Sequence, residues 1–176
     1  MIQDVVQEIN DNIKEQVNAI HTAFPGKVVS YDADKGLATV LPVMKYKMPN
    51  GEKIDYPQLT EVPVWVHQSY GQKAQVSTPI KKDDECIIIV FEQSLDQWKE
   101  GFETDTDLRF DLSNAICIPG IFAKPNSVTK RACEKNAVII ETEGTFIEVM
   151  KDDINIKGNV TITGDLTVSG GTVNLN

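Results

Sequence analysis

Asp105, Asp107 and Asp111, in the stretch DTDLRFD, are the residues most suggestive of chemistry, because alternating carboxylates are what a calcium loop presents. An EF-hand loop opening at Asp105 needs Gly at position 110 and Glu at position 116; the chain has Phe110 and Ile116 there, so the stretch reads as a solvated loop. His67 follows VPVWV with no Ser or Cys nucleophile pattern nearby, and reads as a barrel-rim or interface residue rather than a base. Cys86, Cys117 and Cys133 are odd in number and form no C-x-x-C pair, which argues against a disulfide framework or a zinc site. Cys86 and Cys117 lie in the apolar runs ECIIIVF and AICIPG, where small buried residues are expected. The turn Asp83-Asp84-Glu85 reads as a charged stop before an aggregation-prone strand. Asn159-Val160-Thr161 matches a glycosylation sequon, which only a secreted chain would use. Nothing resembles GxxxxGK, GxGxxG or HExxH, so the expectation is no catalytic residue, no cofactor and no metal.

Pattern, rather than reactive side chains, is what the sequence offers. INIKGN, VTITGD and LTVSGG repeat one six-residue unit. Period-two alternation puts Ile154, Ile156, Val160, Ile162, Leu166 and Val168 on one side of extended segments, with Asn155, Thr161, Thr163, Thr167 and Ser169 on the other. Gly158, Gly164 and Gly170 supply the corners, since Gly adopts positive φ at little steric cost. Such short units bury their apolar face only against neighbouring units. A single-chain solenoid would spend about three units on each turn, so the tract makes barely one turn, short of the minimum of about three stacked repeats. Three chains wound around a common axis cover what one cannot. The tract therefore predicts an intertwined homotrimer with those six aliphatics as its core. Each strand advances the rod by about 4.7 Å, giving a length of only a couple of nanometres. The phase slips at Gly170-Gly171 to Val173 and Leu175, with no metal ligand or charged cap following, which would leave apolar side chains and strand edges open. Val173 and Leu175 are the expected contacts for a separately encoded tip protein.

The elements upstream must carry this tract. Residues 1–24 read as an amphipathic helix ended by Phe24-Pro25-Gly26, with Ile2, Val6, Ile9, Ile13, Gln16 and Ile20 at heptad spacing. That seam suits either a three-stranded bundle or a helix lying on its own domain. Residues 25–122 read as short strands and turns: GKVVSYD and LATVLPVM flank one hairpin, VMKYKM and EKIDYP a second, VPVWV, CIIIVF and DLSNAICIPG follow, and SLDQWKEG makes a turn or two of helix. This suits a compact OB-fold-like barrel. Residues 123–137, polar and turn-rich, read as a linker, and strand-like alternation resumes over 138–176 as the spike. The fold class expected is mainly β: N-terminal helix, OB-fold-like β-barrel and C-terminal trimeric β-helix.

With 176 residues, 41% of them apolar, the chain has room for one real core. A formal charge of −9 argues against a nucleic-acid partner, and Lys81-Lys82 and Lys130-Arg131 are too short to form a basic footprint. MIQDVVQEIN has neither a basic leader nor an uninterrupted apolar block, so synthesis in a bacterial cytoplasm without a signal peptide is expected.

Helix, small barrel, linker and trimer-requiring repeat, in that order, resemble the central spike, or membrane-piercing, proteins of contractile phage tails and related phage-tail-like bacteriocins. The residues carrying the likeness are PGKVVSYDADKGLATVLPV (25–43), YPQL and VPV within 56–64, PIKKDDECIIIVFEQSLDQW (79–98), DLSNAICIPG (111–120) and the glycine-punctuated tail. The resemblance implies an OB-fold barrel seated on the tail-tube hub of the baseplate, and a triple-stranded β-helix driven through the target cell envelope when the sheath contracts. It implies a non-enzymatic part of a virion or tail-like particle. Many relatives hold iron at an apex of His-x-His pairs; His21 and His67 lie far upstream of the tail, so that feature is not expected here. Two other classes compete. An OB barrel can hold oligosaccharide or single-stranded nucleic acid, against which stand the acidic charge and the scarcity of basic and aromatic residues together. Hexapeptide-repeat acyltransferases use longer solenoids with one aliphatic per unit and a catalytic His, and this tract has two aliphatics per unit and no local His.

Overall fold

The computed structural model describes residues 2–18, 20–48, 50–101, 108–171 and 173. The chain divides into two compact units, Met1–Ala123 and Lys124–Asn176. The fold is mainly β: an N-terminal helix, a curled five-stranded antiparallel half-barrel and small sheets.

In the first unit α1 (Ile2–Asn18) precedes β1 (Ala23–Asp32), β2 (Leu37–Pro42), the small hairpin of β3 (Lys45–Lys47) and β4 (Lys53–Asp55), and β5 (Leu59–Pro63). A second small hairpin, β6 (His67–Ser69) with β7 (Ala74–Val76), leads to β8 (Glu85–Val90), α2 (Asp96–Glu100) and β9 (Ala115–Pro119). The main sheet runs β5-β2-β1-β8-β9. Alternate residues of β2 and β8 are buried, as a strand with one face on a core requires. Val28, Val40, Cys86, Ile88 and Cys117 are fully enclosed at its centre. Curvature comes from two register slips. One lies between Val28 and Ser30 against β2, the other between Ala38 and Val40 against β5, where Glu61 takes a positive φ of 56°. An extra residue on one strand of a pair bends that strand and increases its twist. The curl brings the sheet's edges together: Val64 forms a parallel bridge with Cys117, and Trp65 N–H donates to the Cys117 carbonyl at 2.8 Å.

Gly26 sits where β1 pairs on both sides, with Pro42 of β2 and Cys86 of β8. A Cβ there would lie 2.5 Å from Ile88 Cδ1 and 3.2 Å from the Leu41 carbonyl oxygen, so the close approach needs glycine. The β1–β2 turn is held by Asp32, whose Oδ1 accepts from Asp34 N–H and Lys35 N–H at 3.1 and 3.2 Å. Asp111 belongs to no open solvated loop: it caps the 3-10 turn Leu112–Asn114, accepting from Ser113 N–H at 2.9 Å. Asn114, buried, accepts from Leu95 N–H and donates to the Leu108 carbonyl, tying the approach to α2 to the approach to β9. Asp105 and Asp107 fall outside the described residues.

The second unit opens with α3 (Ser127–Lys135), followed by a meander of β10 (Val138–Thr142), β11 (Thr145–Val149) and β12 (Ile154–Lys157). The stretch read as a linker thus carries a helix. Asn126 caps its start by accepting from Thr129 N–H at 2.7 Å, and Asn136 ends it in the left-handed conformation. The first repeat unit supplies β12, and the described residues after it are exposed and without strand pairing; no β-helix is seen among the described residues. That follows from the length of the tract: one chain has no second turn for the first to pair with.

Candidate functional site

The two faces of the β10-β11-β12 meander differ sharply. Pairing of Val138 with Val149 and Ile140 with Ile147, and then of Val149 with Ile154 and Ile147 with Ile156, sets six aliphatics on one face. All six are exposed, Ile140 at 68% and Ile154 at 66%. The opposite face carries Ile139, Glu141, Phe146, Glu148, Asn155 and Lys157, and it is this face that meets basic residues of α3.

On that charged face Lys135 Nζ donates to Glu148 Oε2 at 3.0 Å. Arg131 bonds Glu141, spreads its guanidinium 4.8 Å from the centre of the Phe146 ring, and points Nε at Glu148 Oε1 from 3.5 Å without a hydrogen bond. Glu148 is 2% exposed. The Lys135 hydrogen bond, with smaller help from Asn155 and the Arg131 charge, holds its carboxyl below the usual carboxylate range against the opposing effect of desolvation. Sequence reasoning missed this cluster. The visible signal was Asn126-x-x-Thr129 as a helix start, with Lys130-Arg131 and Lys135 on the helix that follows.

The six aliphatics of the repeats fall in two groups. Ile154 and Ile156 belong to β12 and join the bare face of the meander, whereas Val160, Ile162, Leu166 and Val168 continue beyond it, all exposed. Gly158, Gly164 and Gly170 have φ of +138°, +127° and +80°. At Gly158 a Cβ would also come within 2.7 Å of Thr145 Cγ2, so this glycine is required twice over. Val173 is exposed, and Leu175 lies outside the described residues. The six aliphatics of the meander form one exposed apolar face, the kind of surface that interaction sites present. Its chemistry is that of a packing surface, with no group along it able to transfer a proton or attack a bond.

In the first unit a groove of about 500 Å³ is lined by Val64, Trp65, Phe91, Leu95, Trp98 and Ile116 among others. Trp98 is 71% exposed, and among the described residues of the lining Gln68 is the one polar side chain other than the indoles. His67 is exposed on β6 with its ring edge-on to Trp65, 6.0 Å between centroids, which makes it part of an aromatic rim. Cys86 and Cys117 are buried free thiols on neighbouring strands; their mutual hydrogen bond and burial push the Cys117 thiol far up, so it stays protonated. Among the described residues no three His, Cys, Asp or Glu converge where they could hold a metal ion, and no helix is long and apolar enough to cross a membrane.

No curated protein matches the chain. The family described as Phage protein Gp138 N-terminal domain matches residues 24–120, a span that begins at the Phe24 of β1 and ends just past β9 at Gly120, and so takes in every strand of the half-barrel. The match covers more than half of the sequence, and the chain belongs to this family of phage structural proteins, whose domain is associated with phage tail spikes.

Proposed function

We propose that the protein is a homotrimeric central spike of a phage tail or phage-tail-like particle, docked on the tail-tube hub of the baseplate through its barrel and driven through the target envelope by its C-terminal rod. The observations that support this reading are the bare aliphatic face of the meander and the exposed aliphatics that follow it in sequence through the repeats. Fully burying a Val or Ile side chain contributes about 1.5–3 kcal/mol. Ten half-exposed aliphatics per chain therefore gain on the order of 10 kcal/mol when covered, comparable to the roughly 4–15 kcal/mol that association costs. Within the second unit α3 serves the opposite face of the meander and leaves these aliphatics bare. Three copies around an axis would cover them, with Ile154, Ile156, Val160, Ile162, Leu166 and Val168 turned inward as the core of a triple-stranded β-helix and the glycines at its corners.

The first unit acts in this reading as the docking head. The strand order β5-β2-β1-β8-β9, with a parallel bridge between its edges, supports an OB-type Greek-key barrel. The aromatic groove around Trp65 and Trp98 offers the hub an apolar seat. Val173 and Leu175 remain the proposed seat of a separate tip protein. Immunogold electron microscopy of assembled particles tests the placement. Antibody against the barrel should label the baseplate end of each tail; label scattered along the tube, or none on particles that are otherwise complete, would refute it.

A further inference from the structure

Among the described residues the apolar side chains of α1 are left in water. Every described residue from Gln3 to Asn18 is exposed, and Val5, Val6, Ile9, Ile13 and Val17 each leave more than half of their surface in water. Heptad spacing in the sequence places Val6 and Ile13 at a, and Ile2, Ile9 and Gln16 at d, with Ile20, beyond the end of α1, continuing the a series. The flanking e and g positions of α1 hold Gln3, Val5, Asn10, Asn12 and Val17, none of them charged. All the charges of the helix, Asp4, Glu8, Asp11, Lys14 and Glu15, fall at b, c and f, on the far side. There Asp11 is engaged locally, accepting from Gln7 at 3.0 Å and pairing with Lys14 at 3.4 Å.

This distribution selects the occupant of the apolar face. A helix that covers a chain's own domain needs one apolar stripe, and its flanks are ordinarily where charge begins. Here the neutral zone extends through e and g, the positions that become covered as the number of strands in a coil rises. β-branched residues at both a and d also shift preference from two strands towards three or four. Neutral flanks matter further for an acidic helix, because identical copies in parallel would otherwise set like charges side by side. We propose that the α1 helices of three copies form a parallel three-stranded coiled coil, a second trimerisation element at the other end of the chain from the repeats. Parallel orientation follows from three-fold symmetry, which relates equivalent helices by rotation about one axis. Gln16 would form a single polar layer that fixes the register. Seventeen residues make a marginal coil when isolated. The inference therefore rests on the trimer of the proposed function, which holds the three helices at high effective concentration.

The competing occupant is the chain's own aromatic groove. Val90 N–H donates to the Thr22 carbonyl at 2.7 Å, which anchors the end of the helix's tether one residue from Phe91 of that groove. Crosslinking separates the two. In the full chain with the exposed Cys133→Ser, Val6→Cys at an a position and Asp11→Cys at an f position are each oxidised with diamide, which takes up the two electrons and two protons released as a disulfide forms. Val6→Cys should yield covalent dimers on a non-reducing gel at least 10-fold faster than Asp11→Cys. Equal rates, or no dimer from Val6→Cys in a chain that still sediments as a trimer, would overturn the coiled coil while leaving the spike reading intact. An intrachain link in the double variant Val6→Cys with Phe91→Cys, in place of interchain dimers, would assign the helix to its own groove and also overturn it. A chain that sediments as a monomer would remove both.

Discussion

Ile156 of β12 lies directly across from Ile147 of β11, and both side chains stand in water on the face that α3 does not use. In the proposed trimer this pair would join the buried face, so the interface should begin upstream of the repeat tract. Ile147→Asp would place three carboxylates near the axis, each costing several kcal/mol unless neutralised. The variant should sediment as monomers, as should Ile162→Asp within the repeats. An Ile147→Asp chain that remains trimeric and equally heat-stable would confine the interface to the repeats.

Glu148 ties the stability of the second unit to pH. Its carboxyl is held below the ordinary range, so in the folded state it stays charged where the unfolded chain would already bind a proton. The stabilisation is therefore fully present above the ordinary glutamate value of about 4.3, and it is lost as pH falls through the lower folded value. Arg131 and Lys135 from α3, Asn155 from β12 and Glu141 through Arg131 are the groups around it. Glu148→Gln should lower the melting temperature at pH 7, and the gap to the parent should close as both are titrated towards pH 3. A gap that stays constant across that range would show that the charge contributes nothing.

Gly164 takes a φ of +127°, with nothing within 4 Å of where a Cβ would stand. A side chain there would suffer from backbone conformation rather than from collision. Gly164→Val should destabilise the assembled rod by about 1–3 kcal/mol per chain, whereas Thr163→Val on the polar side should change it by no more than roughly 0.5 kcal/mol. Calorimetric melting of the two variants decides; equal shifts would rule out Gly164 as a corner.

Gly26 is the opposite case, since its constraint is a collision with Ile88 Cδ1 and the Leu41 carbonyl. Gly26→Ala should cost about 1–3 kcal/mol in urea unfolding. Ile88→Val removes Cδ1 and alone costs about 0.5–1.5 kcal/mol. Combined, the two should cost less than their sum, because the smaller residue vacates the space that the new methyl group needs. Simple additivity would show that Cδ1 is not the obstacle.

How far the sequence could be read depended on whether a pattern was local. The hairpin around Ala33-Asp34-Lys35-Gly36, the buried run Cys86–Val90 and the helix stopped by Gly101 all rest on period and turn chemistry within a dozen residues, and the fold contains them. The helix at Ser127–Lys135 was hidden because polar residues dominate it, although its Asn126 and Asn136 ends follow ordinary capping rules. The role of Glu148 was not legible at all. Its partners lie 13 and 17 positions upstream on a helix, and a single Glu in FIEV looks like an outward-facing residue of an alternating strand. The bulge at Glu61 that helps curl the sheet was equally invisible, since a positive φ at Glu has no sequence signature. That Ile154 and Ile156 share a face was legible from their alternation; their company with Val138, Ile140, Ile147 and Val149 needed the register of the meander.

Sedimentation equilibrium of the full chain at neutral pH tests the central claim most directly, because the spike reading has no meaning for a single copy. The account predicts one species at three times the 19.5 kDa of the chain, unchanged on dilution into the low micromolar range. A species of 19.5 kDa would contradict it, leaving the aliphatic face without the partner that its exposure demands.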